Sequence, residues 1–113
     1  TRDSRMSADF VQEGAAVDYT PTADTPAGTV VVQGELVGVT KHDIKANVLG
    51  SIAVEGVFDF DKDPDISISA GAKVYWDATN EHVVTTATGN KLIGKAIAAA
   101  GVNETIVRAR LNQ

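Results

Sequence analysis

The chain has 113 residues, of which 43% are hydrophobic and only 5% aromatic, which is typical of one domain with a core of small aliphatic side chains. Fifteen acidic residues against ten basic ones leave a formal net charge of −5, which argues against a nucleic-acid binder that works through a basic surface. Cysteine is absent, which excludes disulfides and thiolate chemistry, and no apolar run is long enough to span a membrane.

Residues 1–28 are predicted to form an extended N-terminal arm. Residues 10–12 and 16–19 have the composition of two short strand pieces. Pro21 and Pro26 follow, and because proline cannot donate to a sheet ladder and keeps its preceding residue extended, this part favours a loop. Such a segment could lie on a neighbouring protein as easily as on its own domain.

Residues 29–113 are predicted to form a single β domain. Its first two strands are valine-rich and cover residues 29–33 and 36–40, with an interruption at Gly34. A hairpin turn at Gly34 and a bulge within one longer strand fit this pattern equally well. The polar residues 41–47 could hold one helical turn or a loop.

Two later segments alternate between apolar and polar residues with a period of two. Residues 51–61 give the clearest single strand, with one apolar and one mostly acidic face. The last strand covers residues 105–111. Its predicted core residues are Val107, Ala109 and Leu111. Its opposite face carries Arg108 and Arg110, which could pair with acidic residues on a neighbouring strand or contact a partner's carboxylates.

Between these segments, the sequence predicts three short strands separated by turns. The strands cover residues 74–76, 83–86 and 92–97, and the turns cover residues 77–80 and 88–90. Trp76, the only tryptophan, is predicted to anchor the core, and the adjacent Tyr75 must then point outward, over a second layer or at a subunit interface. The chain is therefore predicted to be all-β, a small antiparallel β-barrel or sandwich of roughly eight to ten short strands with an extended N-terminal arm.

One stretch, Gly89 to Lys95, has the glycine and lysine spacing of a phosphate-binding loop. Ala96 stands where that motif needs a hydroxyl, and Leu92 and Ile93 are bulky where the backbone must wrap phosphates. No helix is predicted to follow, so we expect a turn and a strand, with no nucleotide and no cofactor. The two histidines lie far apart in the sequence and no serine stands in a nucleophile motif, so the chain is predicted not to be an enzyme.

Four aspartates alternate after the best predicted strand, at positions 59, 61, 63 and 65. Oxygen ligands at this spacing can hold Ca²⁺. Pro64, however, stands where an EF-hand loop has its turn glycine, and Ala70 stands where that loop closes with glutamate. A solvated acidic loop without a metal is therefore expected.

Four blocks of sequence resemble one known family. They are DFVQEG from residue 9, GSIAVEGVF from residue 50, AGAKVYWD from residue 70 and TATGNKLIG from residue 86. The family is that of tailed-phage capsid cement, or head decoration, proteins, and the resemblance runs from about Ala8 to Leu111. Members have often been labelled as RecA/RadA-type phage recombinases, which the incomplete phosphate-loop pattern does not support.

The resemblance implies a structural protein of the virion rather than an enzyme. It would be made in the host cytoplasm, bind the major capsid protein on the outer surface of the head between capsomers, and oppose the pressure of the internal DNA. The resemblance further implies a homotrimer on the capsid, with no nucleic acid and no membrane as partner. The candidate interface residues are Phe10, Val11, Tyr19, Tyr75, Arg108 and Arg110. The competing class is a small barrel that binds a peptide or glycan, with a nucleotide-binding recombinase as a distant third.

Overall fold

The computed structural model describes residues 15–113, and all regular secondary structure in this range is β-strand. The strands are β1 (Ala16–Tyr19), β2 (Val30–Gln33), β3 (Leu36–Val39), β4 (Gly50–Ala53), β5 (Gly56–Asp61), β6 (Lys73–Asp77), β7 (His82–Val84), β8 (Lys91–Ala96) and β9 (Ile106–Leu111). They form two antiparallel sheets, which confirms the predicted all-β class. No helix that could span a membrane occurs between residues 15 and 113.

The first sheet has four strands in the order β1-β4-β3-β2. Gln33 pairs with Leu36, so β2 and β3 are joined by a two-residue turn at Gly34 and Glu35. Gly34 has a φ of 59°, a conformation that glycine adopts without steric cost. The structure therefore selects the hairpin over the bulge. Residues 41–47 form a loop and not a helical turn.

Residues 16–28, the later part of the predicted arm, lie against this first sheet. All four residues of β1 pair with β4, and Val17 lies opposite Ile52. The backbones of Thr25 and Ile44 exchange two hydrogen bonds of 2.8 Å each. The boundary predicted at residue 28 stays a prediction, because residues 1–14 lie outside the described part of the chain.

The second sheet has five strands in the order β5-β9-β8-β6-β7 and curls until its two edge strands meet. Lys62, directly after β5, forms a parallel bridge with Val83 of β7, and the Asp63 amide donates to the Val83 carbonyl at 3.1 Å. The Lys62 side chain is buried, and its Nζ donates to the carbonyls of Asp63 at 2.7 Å and Glu104 at 3.1 Å. The backbone bridge to Val83 therefore closes the seam of a nearly closed barrel, and the lysine side chain satisfies two carbonyls beside it.

The prediction of one continuous strand over residues 51–61 was wrong. The segment forms β4 and β5, which belong to different sheets, and the chain changes direction at Gly56, whose φ is 128°. Residues with side chains rarely adopt this conformation. Both strands bury even-numbered residues, such as Ile52 in β4 and Phe60 in β5. The apolar alternation therefore continues across the break.

One hydrophobic cluster connects the two sheets. Val37 and Val39 of the first sheet pack with residues from inside the barrel. Trp76 is 7% exposed, and its ring lies 6.4 Å from that of Phe60, centroid to centroid. The core positions predicted in the last strand are buried as well: Val107, Ala109 and Leu111.

Candidate functional site

The stretch that imitates a phosphate-binding loop lies within the barrel wall. Residues 88–90 form the predicted turn, and β8 (Lys91–Ala96) follows it, one residue earlier than the predicted strand over residues 92–97. Gly94 is buried so closely against β9 that a Cβ atom there would overlap the Arg110 carbonyl oxygen. The backbone amides that a phosphate loop must present to its ligand are here used within a sheet.

The four alternating aspartates lie in β5 and in the loop after it, and two of them accept hydrogen bonds from within the protein. Asp59 accepts two hydrogen bonds from its cross-strand neighbour Arg108, from Nε at 2.9 Å and Nη2 at 3.1 Å. The hydrogen bonds from Arg108 lower the pKa of Asp59 below its usual range. Asp63 accepts from the Asp65 amide at 2.9 Å. Between residues 15 and 113, no group of three or more acidic or histidine side chains is arranged to hold a metal ion.

One histidine lies in a strand of the second sheet, and the other lies in a loop between two strands of the first sheet. His82 begins β7, and its Nε2 lies 3.8 Å from Asp77 and 4.0 Å from Asp63. His42 lies in an exposed loop of the first sheet. Asp77 accepts hydrogen bonds from the Asn80 side chain and from backbone amides of its own turn, and these bonds lower the pKa of its carboxyl group.

We expect the chain to lose stability in acid, and Asp77 to cause part of this loss. Because its pKa is lower in the folded than in the unfolded state, Asp77 stabilises the fold fully above its ordinary value, about 4. This contribution disappears as the pH falls through the lower, folded pKa. Thermal melts between pH 2 and 7 should show a weaker acid dependence for Asp77→Asn, while the exposed control Glu55→Gln should follow the wild type. Identical acid profiles for Asp77→Asn and the wild type would contradict this assignment.

The outer surface of the barrel, called here the exterior face, brings together three of the predicted interface residues. Trp76 points inward, so Tyr75 and Lys73 point outward along β6. On β9 the inward residues alternate with Arg108 and Arg110, both exposed. The prediction that Arg108 pairs with an acidic residue on a neighbouring strand is confirmed by Asp59.

Three cations stand side by side across three adjacent strands of this face. Lys73 lies opposite Lys95, and Lys95 lies opposite Arg110. These residues, called the cation row, border a surface depression of about 220 Å³ that Leu92 and Asn112 also line. None of the three forms an ion pair with any residue from 15 to 113.

Exposed apolar side chains surround the cation row on the exterior face. Val57 of β5 is the cross-strand neighbour of Arg110 and is 54% exposed. Leu92, half-buried, lies opposite Tyr75, because a bulge at Ile93 shifts the register of β8. The exterior face thus places positive charge beside apolar area, and two of its residues, Tyr75 and Arg110, are of types that are enriched at protein interfaces.

The other predicted interface residues lie elsewhere. Tyr19 ends β1 in the first sheet, half-buried and opposite Gly50. Phe10 and Val11 lie outside the described residues. The role of all six predicted residues in binding stays a prediction. Sequence reasoning missed Lys73 and Lys95, although their alternation with the buried residues of β6 and β8 was a signal that they point outward.

Comparisons with known proteins give one match that covers nearly the whole chain. A sequence model of a family described as phage cement protein matches residues 11–111. A stretch of 63 residues is 32% identical to the translation initiation factor 2 subunit gamma of Methanocaldococcus jannaschii; it covers 52% of this chain but only 15% of that protein. No solved structure matches.

Proposed function

This chain belongs to the phage cement protein family, and on that premise we propose that it binds the outer surface of a phage head between capsomers and stabilises the shell against the pressure of its DNA. The observation that carries the proposal is the family match over residues 11–111. The partner is the major capsid protein. The site of synthesis is the host cytoplasm, and the site of action is the outer surface of the virion.

The fold supports a structural role. The described residues form short strands, joined by short turns and by four longer loops, around one shared core that can present a fixed surface. On a capsid, many identical copies bind equivalent positions. If the chains also associate as homotrimers there, each chain gains avidity without a large interface of its own. The exterior face is the contact surface proposed here.

Co-sedimentation with heads of the parent phage tests this function. Purified chain is added to expanded heads that lack it and to unexpanded proheads. We expect saturable binding to the expanded heads at a fixed number of copies per capsomer, and no binding to the unexpanded proheads. Absence of binding to any head of the parent phage would refute the proposal.

Removal of the N-terminal residues separates shell binding from folding. We expect deletion of residues 1–14 to leave the melting transition nearly unchanged, since every described strand is retained, and to weaken binding to heads by about 10-fold through lost contact area. Deletion of residues 1–20 also removes β1, which pairs with β4 along its whole length, and should lower the melting temperature. Full binding after deletion of residues 1–14 would show that these residues make no contact with the shell.

A further inference from the structure

We propose that the cation row, Lys73, Lys95 and Arg110, binds a carboxylate-bearing segment of the major capsid protein. The identity of this partner rests on the proposed function, whereas the chemistry of the bound group follows from the row itself.

The register places like charges directly opposite one another. Cross-strand neighbours have Cβ atoms roughly 5 Å apart, and like charges at such positions destabilise an antiparallel pair. Lys95 has a cation on each side, Lys73 on β6 and Arg110 on β9. Arg108, two residues before Arg110 on the same face of β9, is neutralised by Asp59. The same sheet therefore pairs one arginine with an aspartate and places the next between a lysine and a valine, Lys95 and Val57.

The overall charge of the chain makes this arrangement unusual. Fifteen acidic residues and a net charge of −5 supply ample carboxylates, yet none between residues 15 and 113 pairs with the row. Places where a sequence breaks a local rule of stability are expected to be functional sites. A carboxylate from a partner would offset the repulsion among these three cations, and this gain would contribute to the free energy of binding.

The shape of the surface fits a short acidic segment. The row crosses two strand spacings, about 10 Å, and side chains at alternate positions of an extended chain lie about 7 Å apart. Two carboxylates of an extended peptide can thus reach all three cations, and Arg110 can hold one of them with two parallel hydrogen bonds. The depression of about 220 Å³ beside Leu92 gives room for the side chains of that segment.

A protein carboxylate fits better than the phosphates of a nucleic acid. A polyanion senses the charge of the whole chain, which is negative, and would also approach Asp59 and Asp61 on β5, the strand next to β9. A short segment with two carboxylates interacts mainly with the three cations of the row. Its binding needs neither a long basic groove nor a favourable net charge.

Two charge reversals, one within the cation row and one outside it as a control, test the proposal. Lys95→Glu inverts the centre of the row. Lys41→Glu makes the same change of charge at an exposed loop residue of the first sheet. We expect Lys95→Glu to weaken binding to expanded heads by at least about 10-fold, and Lys41→Glu to change it by less than about 2-fold. A labelled peptide with alternating glutamates should bind the wild type and Lys41→Glu but not Lys95→Glu, and its affinity should fall with added salt.

Thermal melting shows whether Lys95→Glu loses binding because the fold is destabilised. In Lys95→Glu, the new carboxylate lies between two cations, so the melting temperature should equal or exceed that of the wild type while binding is lost. Wild-type affinity of Lys95→Glu for heads, or equal losses in both variants, would overturn the proposal. So would a labelled oligonucleotide that binds at the row, or a change in the solution mass of the chain on reversal of Lys95, which would identify a second copy as the occupant.

Different results would refute the capsid as partner and the carboxylate chemistry of the cation row. Peptide binding that depends on Lys95, without binding of the wild type to any head, would refute the capsid as partner and retain the chemistry of the row. Binding of the wild type to heads that is unaffected by Lys95→Glu would retain the cement function and refute the row.

Discussion

Replacement of Gly94 by alanine is expected to destabilise the chain by about 3 kcal/mol or more, since the substitution adds both backbone strain and overlap. Gly94 has a φ of 155°, and a Cβ atom there would overlap the carbonyl oxygen of Arg110 on the adjacent strand. Backbone cannot move aside as a flexible side chain can, so β8 and β9 must separate locally. Urea denaturation followed by circular dichroism measures the loss.

Gly101→Ala is the matched control for this substitution. Gly101 has no neighbouring atom within 4 Å of the Cβ position and no positive φ. We expect its stability to stay within about 0.5 kcal/mol of the wild type, as for other surface substitutions. Equal stabilities of Gly94→Ala and Gly101→Ala would contradict the close packing of β8 against β9.

Truncation of Trp76 to alanine is expected to cost about 3–5 kcal/mol, the usual range for a large buried aromatic residue. Trp76 is the only tryptophan, lies inside the barrel and packs against Phe60. The truncation leaves a cavity beside Phe60, and the surrounding core relaxes only partly into such a space. Because the variant loses its intrinsic tryptophan fluorescence, calorimetry or circular dichroism must follow its unfolding.

The adjacent residue provides the comparison for Trp76. Tyr75 belongs to the same strand but points to the exterior face, where it is only half-buried. Tyr75→Ala should cost less than half as much stability as Trp76→Ala. If Tyr75→Ala proved as costly as Trp76→Ala, the assignment of the inner and outer faces of β6 would be wrong.

The parts of the fold that the sequence predicts well depend on local signals. The alternation of β9 needs only its own residues, and it correctly places Val107 inside and Arg108 outside. The turn after β6 is specified by Asp77, whose side chain accepts hydrogen bonds from the amides of Thr79 and Asn80. Short-range chemistry of this kind is visible along the chain without knowledge of the strand order.

The parts that the sequence does not predict depend on what lies across the sheet. The apolar alternation of residues 51–61 continues through Gly56, so nothing local shows that the chain passes there from one sheet to the other. Of the two carbonyls that bind the buried Lys62 side chain, one comes from Glu104, 42 residues later in the chain. Such contacts appear only once the strands are ordered.

The candidate site depends both on local signals in the sequence and on contacts across the sheet. Alternation alone indicates that Tyr75, Arg108 and Arg110 point away from the core, but not that they share one face. Their proximity follows from the order β9-β8-β6. Lys95 drew attention in the sequence only as part of an incomplete phosphate loop. The register gives it a different role, at the centre of the cation row.

The most direct test of the cement function is the temperature at which heads filled with DNA release it. Heads that lack this chain are heated with and without the purified protein, and released DNA is detected with an intercalating dye. We expect the release temperature to rise and to reach a plateau once all sites on the shell are occupied. An unchanged release temperature at saturating binding would contradict the account, because the chain would then coat the shell without reinforcing it.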